Sequence, residues 1–417
     1  MTPRTMFATV LCAVALPSSC AGGQPGGPPA APPDAARYAR CMRAHGVPAF
    51  PDPVAGRILV RPGTGIDPAS PAFRAAEAAC AGMSPRRVPP PAGRTPGPGL
   101  PTRWAQVPAW VEGRARAGAF SGVVAVAVNG RTVVDVAAGR ASAPGVVPLT
   151  PASQFDVASV GKMLTAAAVA RLVEQGRVDP NAPVGTYVAG LPAAIGEGVT
   201  VRQLLTHTSG LGDVFAPPAV GGRGFDLAAA VARIGAETPA FAPGTAFRSS
   251  NSGYVLLGAV LESTGRPWQA AIRDLVLRPA GMSHTSWSVR PSARPPATGA
   301  GAPPPNPSGG VTTTAGDLVR FARALAPGGT LRPLLGLMTA RTVPTDIPGR
   351  RYGWGIERER RAGVWVLGHG GGAPGREAQV RIVPARGVVT VVVANTSDGA
   401  RPVSDALVSI AARLAGG

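Results

Sequence analysis

The sequence predicts an α/β chain of the α+β kind: an antiparallel sheet built from segments near both ends, flanked by terminal helices, with a helical subdomain inserted in its middle. Three observations carry this. Two Val-rich runs, SGVVAVAV and RTVVDVAAG, flank Asn129-Gly130, the strongest short hairpin signal a sequence offers. The far end returns to strand-like text, VWVL, AQVRIVP and GVVTVVVAN, before a helix from about Val403 to Leu414. The long stretch between these ends is dominated by helical periodicity and Pro/Gly loops.

The chain opens with MTPRTMFATVLCAVALPSSCAGG, in which Arg4 precedes an apolar stretch from Met6 to Leu16 and small residues lead to Cys20. This is the layout of a secretory signal, placed at residues 1–19. Its apolar part is too short for a stable membrane span. LPSSC resembles a bacterial lipoprotein cleavage site with Cys20 as the lipidated residue, although Pro17 sits where Leu is usual. The expectation is an exported lipoprotein on the outer face of the cell membrane, with plain secretion as the alternative.

Residues 20–36 read as a Pro/Gly-rich tether. Residues 37–84 form a short unit with helical spacing around Cys41 and Cys80. In an oxidising compartment these two would most simply pair; two buried free thiols are the alternative. The unit resembles a small two-cysteine module of exported actinobacterial proteins. A Pro-rich linker, 85–104, separates it from a large domain over 105–417, which opens with a probable helix, WAQVPAWVEGRARAG.

A net charge of +19 raises the question of nucleic acid, but the arginines are scattered and no recognition motif accompanies them. No nucleic-acid partner is expected, and weak attraction to anionic wall or membrane surfaces is the by-product. ERERRAG, from Glu357, mixes both signs and reads as a solvated turn between strands. Four dispersed His residues, with no HExxH or CxxC pair, argue against a metal site, and no cofactor is implied.

Among 41 basic residues one alone is lysine, Lys162 in ASVGKMLTAAAVARL. Arginine supplies a solvated positive charge equally well, but it cannot serve as a base, whereas a lysine brought near neutrality by desolvation can. The spacing predicts a helix over 158–175, with Ser159 in its first turn and Lys162 one turn on, on the same face. A serine there sits at the positive end of the helix dipole and becomes a candidate nucleophile, with Lys162 its base.

With these residues in view the chain resembles the serine β-lactamase and penicillin-binding-protein superfamily, specifically the class C β-lactamase-like group with its esterase and D-alanyl-D-alanine carboxypeptidase relatives. FDVASVGKMLTAAAVARL is similar to the S-x-x-K segment. VTVRQLLTHTSGL, FRSSNSGYVLLGAVLE, LRPAGMSHTSW, GGVTTTAGDLVRFARAL and LGHGGGAPG resemble later landmarks of the group in order, the last its H-x-G motif. The resemblance implies the β-lactamase/transpeptidase-like fold and a catalytic set of Ser159, Lys162, Ser249, Asn251 and His369. It places the oxyanion hole at the N–H groups of Ser159 and Gly372, with Gly371 letting substrate approach the edge strand. His369 would direct a donor at a substrate carboxylate or carbonyl, and His207 would order its loop. The second motif is usually Tyr-x-Asn; here Ser249 stands in the tyrosine position.

The functional expectation is an exported serine hydrolase acting on a small-molecule ester, peptide or β-lactam through a Ser159 acyl-enzyme. His in place of Lys in the third motif tilts this from a dedicated β-lactamase toward an esterase or peptidase. The alternative is a catalytically degenerate, wall-associated binding or structural protein.

Overall fold

A computed structural model describes residues 33–52, 70–80, 100–141, 147–216, 224–287 and 304–413. The signal segment, Cys20 and most of both Pro-rich connectors lie outside these. The chain divides into two compact units, residues 1–94 and 95–417.

In the first unit, helices Pro33–Ala44 and Pro71–Ala79 pack through Tyr38, Met42, Phe50 and Ala76. Cys41 and Cys80 are joined by a disulfide, with S–S at 2.07 Å. In so small a core such a link limits the unfolded chain's freedom, which is how it stabilises. His45 also lies beside these sulfurs, its Nδ1 3.0 Å from the Cys41 carbonyl oxygen.

Among the described residues the second unit has ten strands: β1 Gly122–Val128, β2 Arg131–Ala138, β3 Phe155–Asp156, β4 Thr312–Thr313, β5 Val343–Pro344, β6 Arg350–Tyr352, β7 Glu357–Arg361, β8 Val364–Ala373, β9 Arg376–Val383 and β10 Val388–Ala394. Eight of them form an antiparallel sheet in the order β2-β1-β10-β9-β8-β7-β6-β5, while β3 and β4 pair separately. Asn129 and Gly130 both take positive φ, as the β1–β2 turn requires. The first and last strands of the chain lie side by side, Val124 opposite Val392. Among the described residues, nothing between Ala138 and Val343 joins the main sheet, so the inserted helical region expected from the sequence is present.

Both faces of the sheet are covered, which is why β1 and β10 read as continuous apolar runs. Val124, Val126, Val388 and Val392 pack against helices Val107–Arg116 and Ala400–Arg413. The alternate residues, Val123, Ala125, Val389, Val391 and Val393, face the helix Gly161–Glu174 and the inserted helices.

One expectation fails here. ERERRAG is a strand rather than a turn: Glu357–Arg361 is β7, and only Ala362 and Gly363, both at positive φ, turn the chain. Its charges are satisfied within the strand and by its neighbours. Glu359 binds Arg350 at 3.1 Å and Arg361 at 2.9 Å; Glu357 binds Arg381 at 3.3 Å.

Candidate active site

The segment carrying Ser159 begins on β3. Asp156 accepts the Ala158 N–H at 2.8 Å through one carboxylate oxygen and pairs with Arg376 of β9 through the other. These contacts hold Ala158 at φ +47°, a conformation costly for a residue with a Cβ. Ala158–Val160 then forms a 3-10 turn that runs into the α-helix Gly161–Glu174, close to the helix expected over 158–175. Ser159 is half-exposed on this turn, whereas Lys162 is 2% exposed beneath it.

Three groups surround the Lys162 amine. Nζ lies 3.2 Å from Ser159 Oγ, 2.7 Å from Asn251 Oδ1 and 2.8 Å from the Ser308 carbonyl oxygen. The Asn251 amide is oriented by its other end, where Nδ2 donates to Asp213 at 3.0 Å. Two of the three neighbours can therefore only accept. A neutral amine, with two N–H bonds and one lone pair, donates to those two and keeps its lone pair for the Ser159 hydroxyl proton. Burial supplies that protonation state, lowering the pKa from 10.5 to about 7, with the Asp213 carboxylate pulling weakly the other way.

The strand β8 closes the site from the opposite side. β7 pairs with it only as far as Gly368, so from His369 to Ala373 one edge of β8 has no strand neighbour among the described residues. At Gly371 the backbone presses on the serine turn. A Cβ there would lie 2.5 Å from the Val157 oxygen and 2.7 Å from the Ser159 nitrogen, so only glycine fits. Gly372 is exposed beside it.

His369 is placed differently from the expectation. Its Nδ1 is 2.5 Å from the Gly370 oxygen, which can only accept, so the ring proton sits on Nδ1. Nε2 then accepts the Tyr352 hydroxyl at 2.9 Å. Both ring nitrogens are thus engaged within the protein, and burial lowers the pKa to about 4, keeping the ring neutral. His369 has no donor left to direct at a substrate.

His207 orders its surroundings, as expected. Held at φ +59°, it accepts the Ser250 N–H at 3.1 Å and packs on Tyr254 and Tyr352. Ser250 in turn caps the helix Asn251–Glu262, its Oγ accepting from Gly253 N and donating to the Gly212 carbonyl. Ser249 stands apart: it is exposed, and its hydroxyl has no hydrogen-bond partner among the described residues.

Tyr254 does not replace the absent tyrosine. Its ring lies 5.5 Å from Lys162 Nζ, but its hydroxyl is spent on the Leu205 carbonyl at 3.1 Å. Sequence reasoning missed Asp156, Asp213, Tyr352 and Ser308. Asp156 had a usable signal, an Asp two residues before a position needing an unusual turn. Ser308 had none, because it acts through its backbone.

Comparison with known proteins agrees with this geometry. Residues 107–415 match the family model described as Beta-lactamase. Penicillin-binding protein 4 of Amycolatopsis lactamdurans is 29% identical over 299 residues, which are 60% of this chain and 74% of that protein. Esterase EstB of Burkholderia gladioli is 34% identical over 177 residues, 38% of this chain and 45% of its own length, so this chain spans less than half of it. The crystal structure of a D-stereospecific amidohydrolase from Streptomyces sp. superposes with TM-score 0.60 at 27% identity, covering 73% of this chain and 98% of that one. An antiparallel sheet joined from both chain ends, carrying a serine turn over a buried lysine, and a family match over most of the second unit lead to one conclusion: the chain belongs to the beta-lactamase family of hydrolases.

Proposed function

We propose that the second unit is a serine hydrolase that cleaves an ester or amide through an acyl-enzyme on Ser159. The observation that carries this is the buried Lys162 amine, 3.2 Å from Ser159 Oγ and fixed by two groups that can only accept, which leaves a neutral amine's lone pair for the hydroxyl proton. Ser159 attacks the substrate carbonyl as its proton passes to Lys162. The oxyanion so formed is met by the N–H groups of Ser159 and Gly372, and the ammonium of Lys162 returns the proton to the leaving group. Water then releases the acyl group by the same route. Asn251 holds the amine in place, while neutral His369 anchors Tyr352 rather than the substrate.

The relatives include an esterase, a penicillin-binding protein and a D-stereospecific amidohydrolase, so an ester, peptide or amide carbonyl is the substrate class they support. A second reading, a wall-associated binding protein without turnover, rests on Ser249, which stands exposed in the tyrosine position with no hydrogen-bond partner among the described residues. A fluorophosphonate or fluorescent penicillin probe separates the two. Labelling that disappears in Ser159→Ala is expected; a folded protein that no acylating probe labels would establish the binding reading instead.

The signal expected over residues 1–19 supports export, and the Cys41–Cys80 disulfide fits an oxidising compartment. Lipid attachment at Cys20 is expected to put the protein in the membrane fraction, and Cys20→Ala in the medium. An unchanged membrane fraction for that variant would remove the anchor.

A further inference from the structure

Beside Asn251 lies a cleft of about 340 Å³ lined by Gly212, Asp213, Glu237, Arg233, Arg248 and neighbouring residues. Two acids and two arginines face one space, yet they are not equivalent. Each carboxylate already accepts two hydrogen bonds from the protein. Glu237 accepts from the Gly212 N–H at 2.7 Å with one oxygen and from the Ser252 hydroxyl at 2.5 Å with the other. Asp213 accepts from Asn251 Nδ2 at 3.0 Å and from the Phe215 N–H at 3.0 Å.

The arginines are the reverse case. Arg233 stands in the last turn of the helix Leu227–Gly235, and Arg248 three residues before Asn251. Neither guanidinium has an ion-pair or hydrogen-bond partner among the described residues, and both are exposed to the cleft. The recognition capacity left in this space is therefore cationic: two planar forks whose geometry matches a carboxylate. Three hydrogen bonds connect the cleft wall to the nucleophile, Asp213 to Asn251, Asn251 to Lys162, and Lys162 to Ser159.

We propose that this cleft is a specificity subsite in which Arg233 and Arg248 bind a carboxylate carried by the substrate, away from the carbonyl that Ser159 attacks. The inference rests on the hydrolase reading above and narrows its substrate class to anionic esters or amides. Other members of the fold need not share it, because Arg233 lies outside the family landmarks and Arg248, within the second of them, touches neither the serine nor the lysine.

The test uses two matched pairs of chromogenic esters. The first sets p-nitrophenyl butyrate against the mono-p-nitrophenyl ester of glutaric acid, and the second places the carboxylate on the phenol instead. The protein carrying Arg233→Gln and Arg248→Gln together is compared with wild type. The anionic-to-neutral ratio of kcat/KM is expected to reach about tenfold or more in one pair, the factor a single charge-assisted contact gives. It should fall close to one in the variant. A ratio near one in wild type for both pairs, or a preference the variant keeps, overturns the subsite. If Ser159 turns over neither ester of either pair, the hydrolase reading fails separately. Glutarate binding to wild type and variant then decides: binding lost in the variant supports the subsite, and binding that is equal or absent in both overturns it.

Discussion

Two groups of basic residues show what an environment does to a positive charge. On β6, β7 and β9, arginines meet carboxylates or an aromatic ring. Arg350 is locked between Glu357 and Glu359, Arg361 reaches from Glu359 to Asp405, and Arg358 lies 3.9 Å over the Trp365 ring. In the first turn of the helix Gly161–Glu174, Lys162 is surrounded by two fixed acceptors and a hydroxyl, with the Asp213 carboxylate held one residue away behind Asn251. These strands give Arg350, Arg361 and Arg381 a counter-charge and Arg358 an aromatic face, so a residue that keeps its charge suffices. The helix withholds a counter-charge, so only a side chain able to lose its proton is tolerated there. The lone lysine among forty arginines follows from that difference.

The sharpest way to break the contrast is to exchange the two chemistries. Lys162→Met removes the base and the burial penalty together. Probe acylation is expected to fall about 10²- to 10⁴-fold, while thermal unfolding moves to higher temperature by calorimetry. Lys162→Arg is expected to lose activity and also to unfold more readily, because a guanidinium cannot shed its charge in a site 2% exposed. An active Lys162→Arg protein would remove the lysine from the chemistry.

Next in size is the response to pH. Acylation requires the neutral amine, so its rate is expected to rise about tenfold per pH unit in acid and level off above about 7, the value set by burial. Stability takes the same sign in a higher window. Between about 7 and 10.5 the unfolded chain holds a proton that the native amine has lost, so this residue's contribution to stability increases with pH there and is flat below. A rate that rises only beyond pH 9 would show that the amine titrates as an ordinary lysine.

The smallest effect belongs to the strand charges. Glu359 is half-buried, which alone would raise its pKa, but Arg350 and Arg361 together hold it below the ordinary carboxylate value of 4.5. Glu359→Gln is expected to cost about 1 to 3 kcal/mol at neutral pH, measured by urea unfolding. The difference should vanish as acid protonates the native glutamate, and acylation should be unaffected. An equal loss at pH 3 and pH 7 would mean that shape rather than charge holds these strands.

The same contrast explains what could be read from the sequence. Periodicity and turn chemistry act locally, so the Asn129-Gly130 hairpin, the closing strands and the helix bearing Ser159 and Lys162 were all legible. A charge run says nothing of its partners, and ERERRAG was therefore misread: the residues that neutralise β7 lie on β6, β9 and the last helix. Within the site, Ser159, Lys162 and Asn251 come together, and Gly371 lies against the serine turn as a close-packed glycine must. His369 went astray for a geometric reason, since only coordinates reveal that Tyr352 takes one ring nitrogen and Gly370 the other. Ser308 contributes a carbonyl that every residue possesses, so no side-chain pattern marks it.

The concealment of the lysine amine has one more effect, on when this protein becomes reactive. In the unfolded chain the same nitrogen is wrapped in water and carries its proton, and the serine beside it is an ordinary alcohol. Only completion of the core strips that water away, so on the proposed mechanism the chain arms itself in the act of folding and disarms on melting. A half-folded molecule is in this sense harmless to its neighbours.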